Sequence, residues 1–186
     1  MRKLAVVFPG IGYHTDKPLL YYGKKLAAAD GYEIVDVTYG ELPAGAKGSA
    51  AKMEEAGRVA LSYARKILEN LDFSQYDRIL FLSKSLGTAV GAAYARERGL
   101  AVSQVYYTPV EQTFRYPAQR AVAFHGTKDQ WVETPVVKDG CERQGIPLFI
   151  TEGANHSLET GDAEADIRNL AAIIRQTREF MQGLEC

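Results

Sequence analysis

The stretch Arg78-Ile79-Leu80-Phe81-Leu82-Ser83-Lys84-Ser85-Leu86-Gly87 decides how this chain is read. Its first half is apolar at consecutive positions, as expected of a strand covered on both faces of a sheet. Its second half passes through small residues into a helix-period segment, Leu86–Arg98, with Gly99 where a C-terminal stop belongs. A strand that turns sharply into a helix holds one residue in strained backbone angles, with its side chain clear of the sheet. The residues two before and two after it must be small, because strand and helix pass closely there. Ser85 meets this condition, with Ser83 and Gly87 at those positions. Ser83 at the turn would instead put Phe81 into a small slot. Gly87 and Gly91, one turn apart, let the following helix press against the sheet. An ordinary strand-to-helix turn fits these ten residues equally well, so the meaning of Ser85 depends on what surrounds it.

Outward from this stretch, short apolar runs alternate with helical periods. The runs are Leu4–Phe8, Tyr32–Tyr39, Arg78–Leu82, Val102–Thr108, Ala121–Phe124 and Leu148–Thr151. Between them lie Leu19–Ala29, the series Met53, Ala56, Ala60, Ala64, Ile67 and Leu71, and Thr134–Arg143. Ile167, Leu170, Ile174 and Met181 mark a last helix, with Glu164 and Asp166 in its first turn, where carboxylates suit the helix dipole. The order predicts an α/β fold, a doubly wound and mostly parallel six-stranded sheet with helices on both faces, in one domain over residues 1–186.

Composition agrees with a globular chain and narrows the partners. Hydrophobic residues are 46% and charged residues 24%, which excludes a disordered chain and a disulfide-framework mini-protein. Lys and Arg number 22 against 23 Asp and Glu, so neither nucleic acid nor an anionic membrane is an expected partner. Cys141 and Cys186 have no metal spacing and fit a reducing compartment. The opening apolar run stops at Pro9-Gly10, too early for a signal-peptide core, and no stretch approaches the roughly 20 residues of a membrane span. A cytoplasmic setting is expected.

In open α/β sheets, chemistry gathers where the strands end. Pro9-Gly10-Ile11-Gly12-Tyr13-His14 follows the first run, and His125-Gly126-Thr127-Lys128-Asp129-Gln130-Trp131-Val132 the fifth. Gly153-Ala154-Asn155-His156-Ser157 follows the sixth. Taken singly, Asp129 reads as a surface turn and His156 as a structural histidine. Together with Ser85 they supply three parts that one chemistry requires. A serine hydroxyl is a poor nucleophile at neutral pH, so a base must take its proton. Imidazole titrates near that pH. A carboxylate fixes the imidazole tautomer and stabilises the imidazolium that forms.

With these residues in place, the chain resembles the α/β-hydrolase superfamily over almost its whole length. It looks like a small member with little or no lid, of the dienelactone-hydrolase or carboxylesterase kind. The resemblance rests on Ser83-Lys84-Ser85-Leu86-Gly87, on the segment from His125 to Val132, and on Gly153-Ala154-Asn155-His156. It implies Ser85 as nucleophile, Asp129 as acid and His156 as base, in the family's chain order. It also implies an oxyanion hole made by the N–H groups of Leu86 and Ile11, with Gly12 the next candidate. Two features depart from the family pattern: Ser83 stands where Gly is usual, and the family's first two strands are expected to be absent before Leu4. The edge so exposed makes a homodimer an option. Only Pro109–Arg120 separates the fourth and fifth strands, which predicts a shallow, open site lined by Tyr13, Tyr107, Phe114 and Trp131.

The expectation is therefore a serine hydrolase that cleaves a small to medium carboxylic ester or thioester, a small-molecule acyl substrate, without cofactor or metal. Activity is expected to rise between pH 5 and 8 as the base loses its proton. The competing reading is a ligand-binding or receptor module that keeps the fold with little turnover. A dinucleotide site lacks its third glycine after Gly10-Ile11-Gly12. A Ser–Lys dyad is disfavoured because successive strand side chains point to opposite sides, which makes Lys84 a solvent-facing or ion-paired group.

Overall fold

The computed structural model describes residues 1–184; Cys186 lies outside the described residues. Six strands form one sheet: β1 (Lys3–Phe8), β2 (Tyr32–Asp36), β3 (Arg78–Lys84), β4 (Ser103–Tyr107), β5 (Arg120–Gly126) and β6 (Leu148–Thr151). Their order is β2-β1-β3-β4-β5-β6, and every pair is parallel. Among the described residues, α1 (Pro18–Ala29), α2 (Ala50–Ile67), α3 (Leu86–Arg98) and α4 (Thr134–Gln144) connect them, and α5 (Ala163–Gln182) follows β6. Among the described residues, two short 3₁₀ turns, Phe73–Gln75 and Glu111–Arg115, are the remaining elements. The second of these lies in the short connection between β4 and β5, which leaves no room for a lid domain there.

The strand alternation assigns the two faces. Leu4, Val6, Phe8 and Phe81 point toward α2 and α3, where they meet Met53, Ala56, Ala60, Val90 and Tyr94. Ala5, Val7, Leu80, Leu82 and Val105 point the other way, onto Leu19, Leu20 and Ala27 of α1 and Ile173 and Met181 of α5. A third cluster joins Tyr106 and Ala123 to Val137 and Cys141 of α4. Burying the apolar side chains of both faces is the main favourable term in such a fold.

Local chemistry sets the helix ends. Pro18 opens α1, where its missing N–H costs nothing. The Ser49 hydroxyl caps α2 at Lys52 N, 3.3 Å away, and Asp162 caps α5 at Ala165 N, 2.8 Å away. Gly99 and Gly145 end α3 and α4 in the left-handed conformation.

The chain winds outward in opposite directions from the adjacent strands β1 and β3. This is the topological switch point, where the carboxyl ends of the strands leave a crevice. The turn after β1 and the β3–α3 junction both open into it. The close approach there depends on Gly87, since a Cβ at that position would overlap the carbonyl oxygens of Phe8 and Pro9.

Candidate active site

Ser85 stands between β3 and α3 with φ 53° and ψ −123°, a strained conformation for a residue with a side chain. Its N–H donates to Tyr107 O at 3.0 Å, which fixes the elbow against β4. Two before it, Ser83 is buried and lies close to Gly91: a Cβ built at that glycine would sit 3.1 Å from Ser83 Oγ. Serine is therefore accommodated at this position because Gly91 faces it.

The structure brings Ser85, His156 and Asp129 together. Ser85 Oγ is 2.6 Å from His156 Nε2, and His156 Nδ1 is 2.7 Å from Asp129 Oδ2. A carboxylate can only accept, so Nδ1 carries the proton and Nε2 is left to accept from the serine hydroxyl. The second oxygen of Asp129 accepts from Trp131 N at 2.8 Å and Val132 N at 3.3 Å. Burial by itself would raise the Asp129 pKa, but the His156 hydrogen bond and charge and the Trp131 N–H hold it below the usual carboxylate value.

His156 is pushed down to a pKa of about 4, chiefly by burial; the Asp129 hydrogen bond opposes this and the charge of Lys84 adds to it. Its loop is held from two sides. Thr108 Oγ1 donates to the His156 carbonyl at 3.1 Å, and Asn155 Oδ1 accepts from Ser157 N at 2.7 Å and Glu159 N at 3.2 Å. A further hold comes from Lys128 N, which donates to Ala154 O at 2.8 Å and ties the acid loop to the histidine loop. Sequence reasoning missed Thr108 and Asn155; Asn155, directly before His156 in a strand-end loop, was the available signal. His125 lies behind the acid, with Nδ1 3.6 Å from Asp129 Oδ2 and Nε2 3.1 Å from Thr134 Oγ1.

The turn after β1 closes on two backbone bonds, Gly10 N to Tyr13 O at 3.0 Å and Tyr13 N to Gly10 O at 3.2 Å. These use the N–H groups of Gly10 and Tyr13 and leave those of Ile11 and Gly12 outside the turn's own bonding. Gly12 has φ 65°, the left-handed region where a Cβ is unfavourable. The turn sits against the elbow: a Cβ at Gly10 would lie 3.0 Å from Ser85 Cβ. Leu86 opens α3, so its N–H belongs to the first turn, where helical donors lack an intrahelical acceptor.

Several expectations require correction. The triad side chains themselves are largely covered: Ser85 is 2% exposed and the His156 side chain 14%. Of the four aromatic candidates, Trp131 lies at the triad, its ring stacked on His156 with centroids 5.1 Å apart. Tyr107 does not line the site. It stacks on Phe124 within the α1/α5 core, and its hydroxyl is bonded to Thr177 at 3.0 Å. Phe114 is also elsewhere, seated against Gly140 of α4, because that glycine leaves space for its ring. Tyr13 is buried, with its ring against Lys84 and its hydroxyl accepting from Leu19 N at 3.1 Å. Lys84 neither faces solvent nor, among the described residues, forms an ion pair; it is buried against that ring.

Beside Trp131 a cleft of about 240 Å³ runs between the β2–α2 and β5–α4 connections. Ala46, Met53, Val110, Val132 and Val136 form its apolar wall, and Ser49, Glu111, Gln112 and Glu133 its polar edge. Lys47 Nζ donates to Gln130 Oε1 at 2.8 Å and joins the two connections.

Solved structures share this architecture. A Xanthomonas campestris protein described as a candidate hydrolase of the α/β superfamily aligns at TM-score 0.69 and 15% identity, over 98% of this chain and 99% of that one. A serine hydrolase without lid from the same organism aligns at TM-score 0.66 and 13% identity, over 97% and 81%. An esterase from Pyrococcus furiosus aligns at TM-score 0.65 and 13% identity, over 97% and 82%. The chain thus has a minimal α/β-hydrolase fold, as the resemblance implied. No protein-family model matches the sequence, and no curated protein matches it. Among the described residues, no helix is long and apolar enough to cross a membrane.

Proposed function

We propose that this chain is a serine hydrolase that cleaves a small to medium carboxylic ester or thioester through an acyl-enzyme on Ser85. The observation that carries this reading is the continuous chain of hydrogen-bonding distances, 2.6 Å from Ser85 Oγ to His156 Nε2 and 2.7 Å from His156 Nδ1 to Asp129 Oδ2. A surface serine beside a structural histidine would not need a fully buried carboxylate behind it.

The geometry suits the steps of acyl transfer. Ser85 Oγ attacks the acyl carbonyl carbon while its proton passes to His156 Nε2, and the carbonyl electron pair moves onto oxygen. The imidazolium that forms faces the Asp129 carboxylate, whose burial strengthens the attraction. The N–H groups of Leu86 and Ile11, with Gly12 alongside, are the donors proposed for the oxyanion. His156 then gives its proton to the leaving alkoxide or thiolate. Water, deprotonated by the same imidazole, releases the acid and restores the hydroxyl. The cleft beside Trp131 is the proposed seat of one substrate arm. Its volume lies below the roughly 300–1,000 Å³ of pockets for drug-sized ligands, which favours a short substituent.

The test is turnover of a panel of short acyl esters and thioesters, followed as a function of pH. With the His156 titration pushed down to about 4, the base is already neutral at pH 5. The earlier expectation of a rise between pH 5 and 8 is replaced accordingly. The value of kcat/KM is expected to be level between about pH 5 and 6 and to fall as acid is added through about pH 4. A rate still falling steeply from pH 7 to 6 would contradict the burial of the base.

A further inference from the structure

Lys84, the residue before Ser85, is 1% exposed, and the mechanism above leaves it without a task. Its stem runs past the turn after β1, where a Cβ built at Gly10 would lie 3.5 Å from Lys84 Cγ. Its Nζ rests 4.8 Å from the centre of the Tyr13 ring. Tyr13 closes the turn that carries the Ile11 and Gly12 N–H groups. Among the described residues, no ion pair joins Lys84 to a carboxylate. An ammonium buried on an aromatic face is costly to fold around when no carboxylate pairs with it directly, and Asp129 and Glu159 favour its charge only from a distance. Replacement by an apolar residue of similar length would remove that cost, so packing alone does not explain a lysine here.

We propose that Lys84 is a positioning residue for the oxyanion: its ammonium, held on the Tyr13 face against the Gly10–Tyr13 turn, supplies the positive field in which the charge of the tetrahedral intermediate develops. The inference rests on reading Ser85, His156 and Asp129 as a hydrolytic triad. Lys84 makes and breaks no bond in the step. The Ser85 proton goes to His156 Nε2, the carbonyl electron pair goes to oxygen, and Lys84 contributes its charge alone. Lys84 is itself buried, and a charge surrounded by protein acts over longer distances than it would in solution. The same charge keeps His156 neutral at rest, while opposing the imidazolium that forms in the step, so the gain must come from the oxyanion.

The groups facing Lys84 come from several segments. Asp129 and Glu159 favour its charged form, and Lys17, in the segment after β1, disfavours it. Tyr13 is pushed up to about 12, so its phenol stays neutral through the working range. His156 and His125 are both shifted down by burial. Burial is the largest influence on Lys84 itself and brings its pKa from 10.5 to about 7. The field on the oxyanion is therefore expected to fade as pH rises through about 7.

The experiment is the pH profile of kcat from pH 4 to 9 for the parent and for Lys84→Met, on the best ester of the panel. The parent is expected to lose activity through about pH 7. In Lys84→Met, kcat at pH 6 is expected to fall about tenfold, less than for removal of a direct oxyanion donor. The loss through pH 7 should vanish, and the acid limb should move to higher pH because His156 no longer faces a cation. Methionine keeps an unbranched apolar stem, so the variant should fold. Its Tm should exceed the parent's at pH 6, and the gap should close toward pH 10, since between about 7 and 10.5 the unfolded parent binds more protons than the folded one. A parent profile without an alkaline limb between pH 6 and 9 overturns the proposal without any variant. So does a Lys84→Met profile of the parent's shape accompanied by a lower Tm, which would mark Lys84 as structural. A parent that neither turns over esters nor reacts at Ser85 would overturn the triad itself, and the role of Lys84 with it.

Discussion

Ser85→Ala is expected to lower kcat on the best ester by about 10⁶-fold, the scale found where a triad nucleophile has been removed. The substitution takes away the only atom that bonds to the acyl carbon and leaves the rest of the site standing. The elbow is held through backbone, by Ser85 N to Tyr107 O at 3.0 Å and Thr88 N to Ser85 O at 2.9 Å, so alanine can occupy the same strained turn. Tm should therefore change little while turnover disappears. Steady-state kinetics beside thermal unfolding of both proteins checks this. A variant that kept more than a tenth of the parental rate would show that the hydrolysis does not pass through Ser85.

Asp129→Asn is expected to cost about 10⁴-fold in kcat, with the fold intact. The carboxylate makes His156 donate from Nδ1, at 2.7 Å, and leaves Nε2 bare toward the serine. An amide that turned its NH₂ toward the ring would favour the opposite tautomer. Nε2 would then carry a proton and could not accept the one on Ser85 Oγ. The amide oxygen could still accept from Trp131 N and Val132 N, so the loop that carries the acid should hold its shape. His125, 3.6 Å from the same carboxylate oxygen, offers no replacement because its ring does not reach Ser85 in the hydrogen-bonded chain. The check is kcat and Tm together. A loss below tenfold would show that Asp129 does not control the tautomer.

The alternation of Leu4–Phe8, Arg78–Leu82 and Ala121–Phe124 with helical periods was enough to read the sheet and its winding, because strands buried on both faces announce themselves as continuous apolar runs. The elbow was legible from the small residues around Ser85, a steric requirement that acts locally in sequence. The segments that should bear the acid and the base could be placed at strand ends for the same reason. Tertiary placement was less legible. Tyr107 and Phe114 sit on strand-end segments like Trp131, yet Thr177 of α5 and Gly140 of α4, distant in sequence, draw them into the core. Strand alternation correctly turned Lys84 away from Ser85, but it could not show that Tyr13 waits on that side in place of water.

The most direct test of the central claim is the intact mass of the parent and of Ser85→Ala after exposure to a fluorophosphonate at neutral pH. An activated serine attacks phosphorus and expels fluoride, leaving a stable phosphonyl ester. The triad reading predicts one stoichiometric adduct on the parent and none on the variant. A folded parent that takes up no adduct, or an adduct that persists on Ser85→Ala, would contradict it.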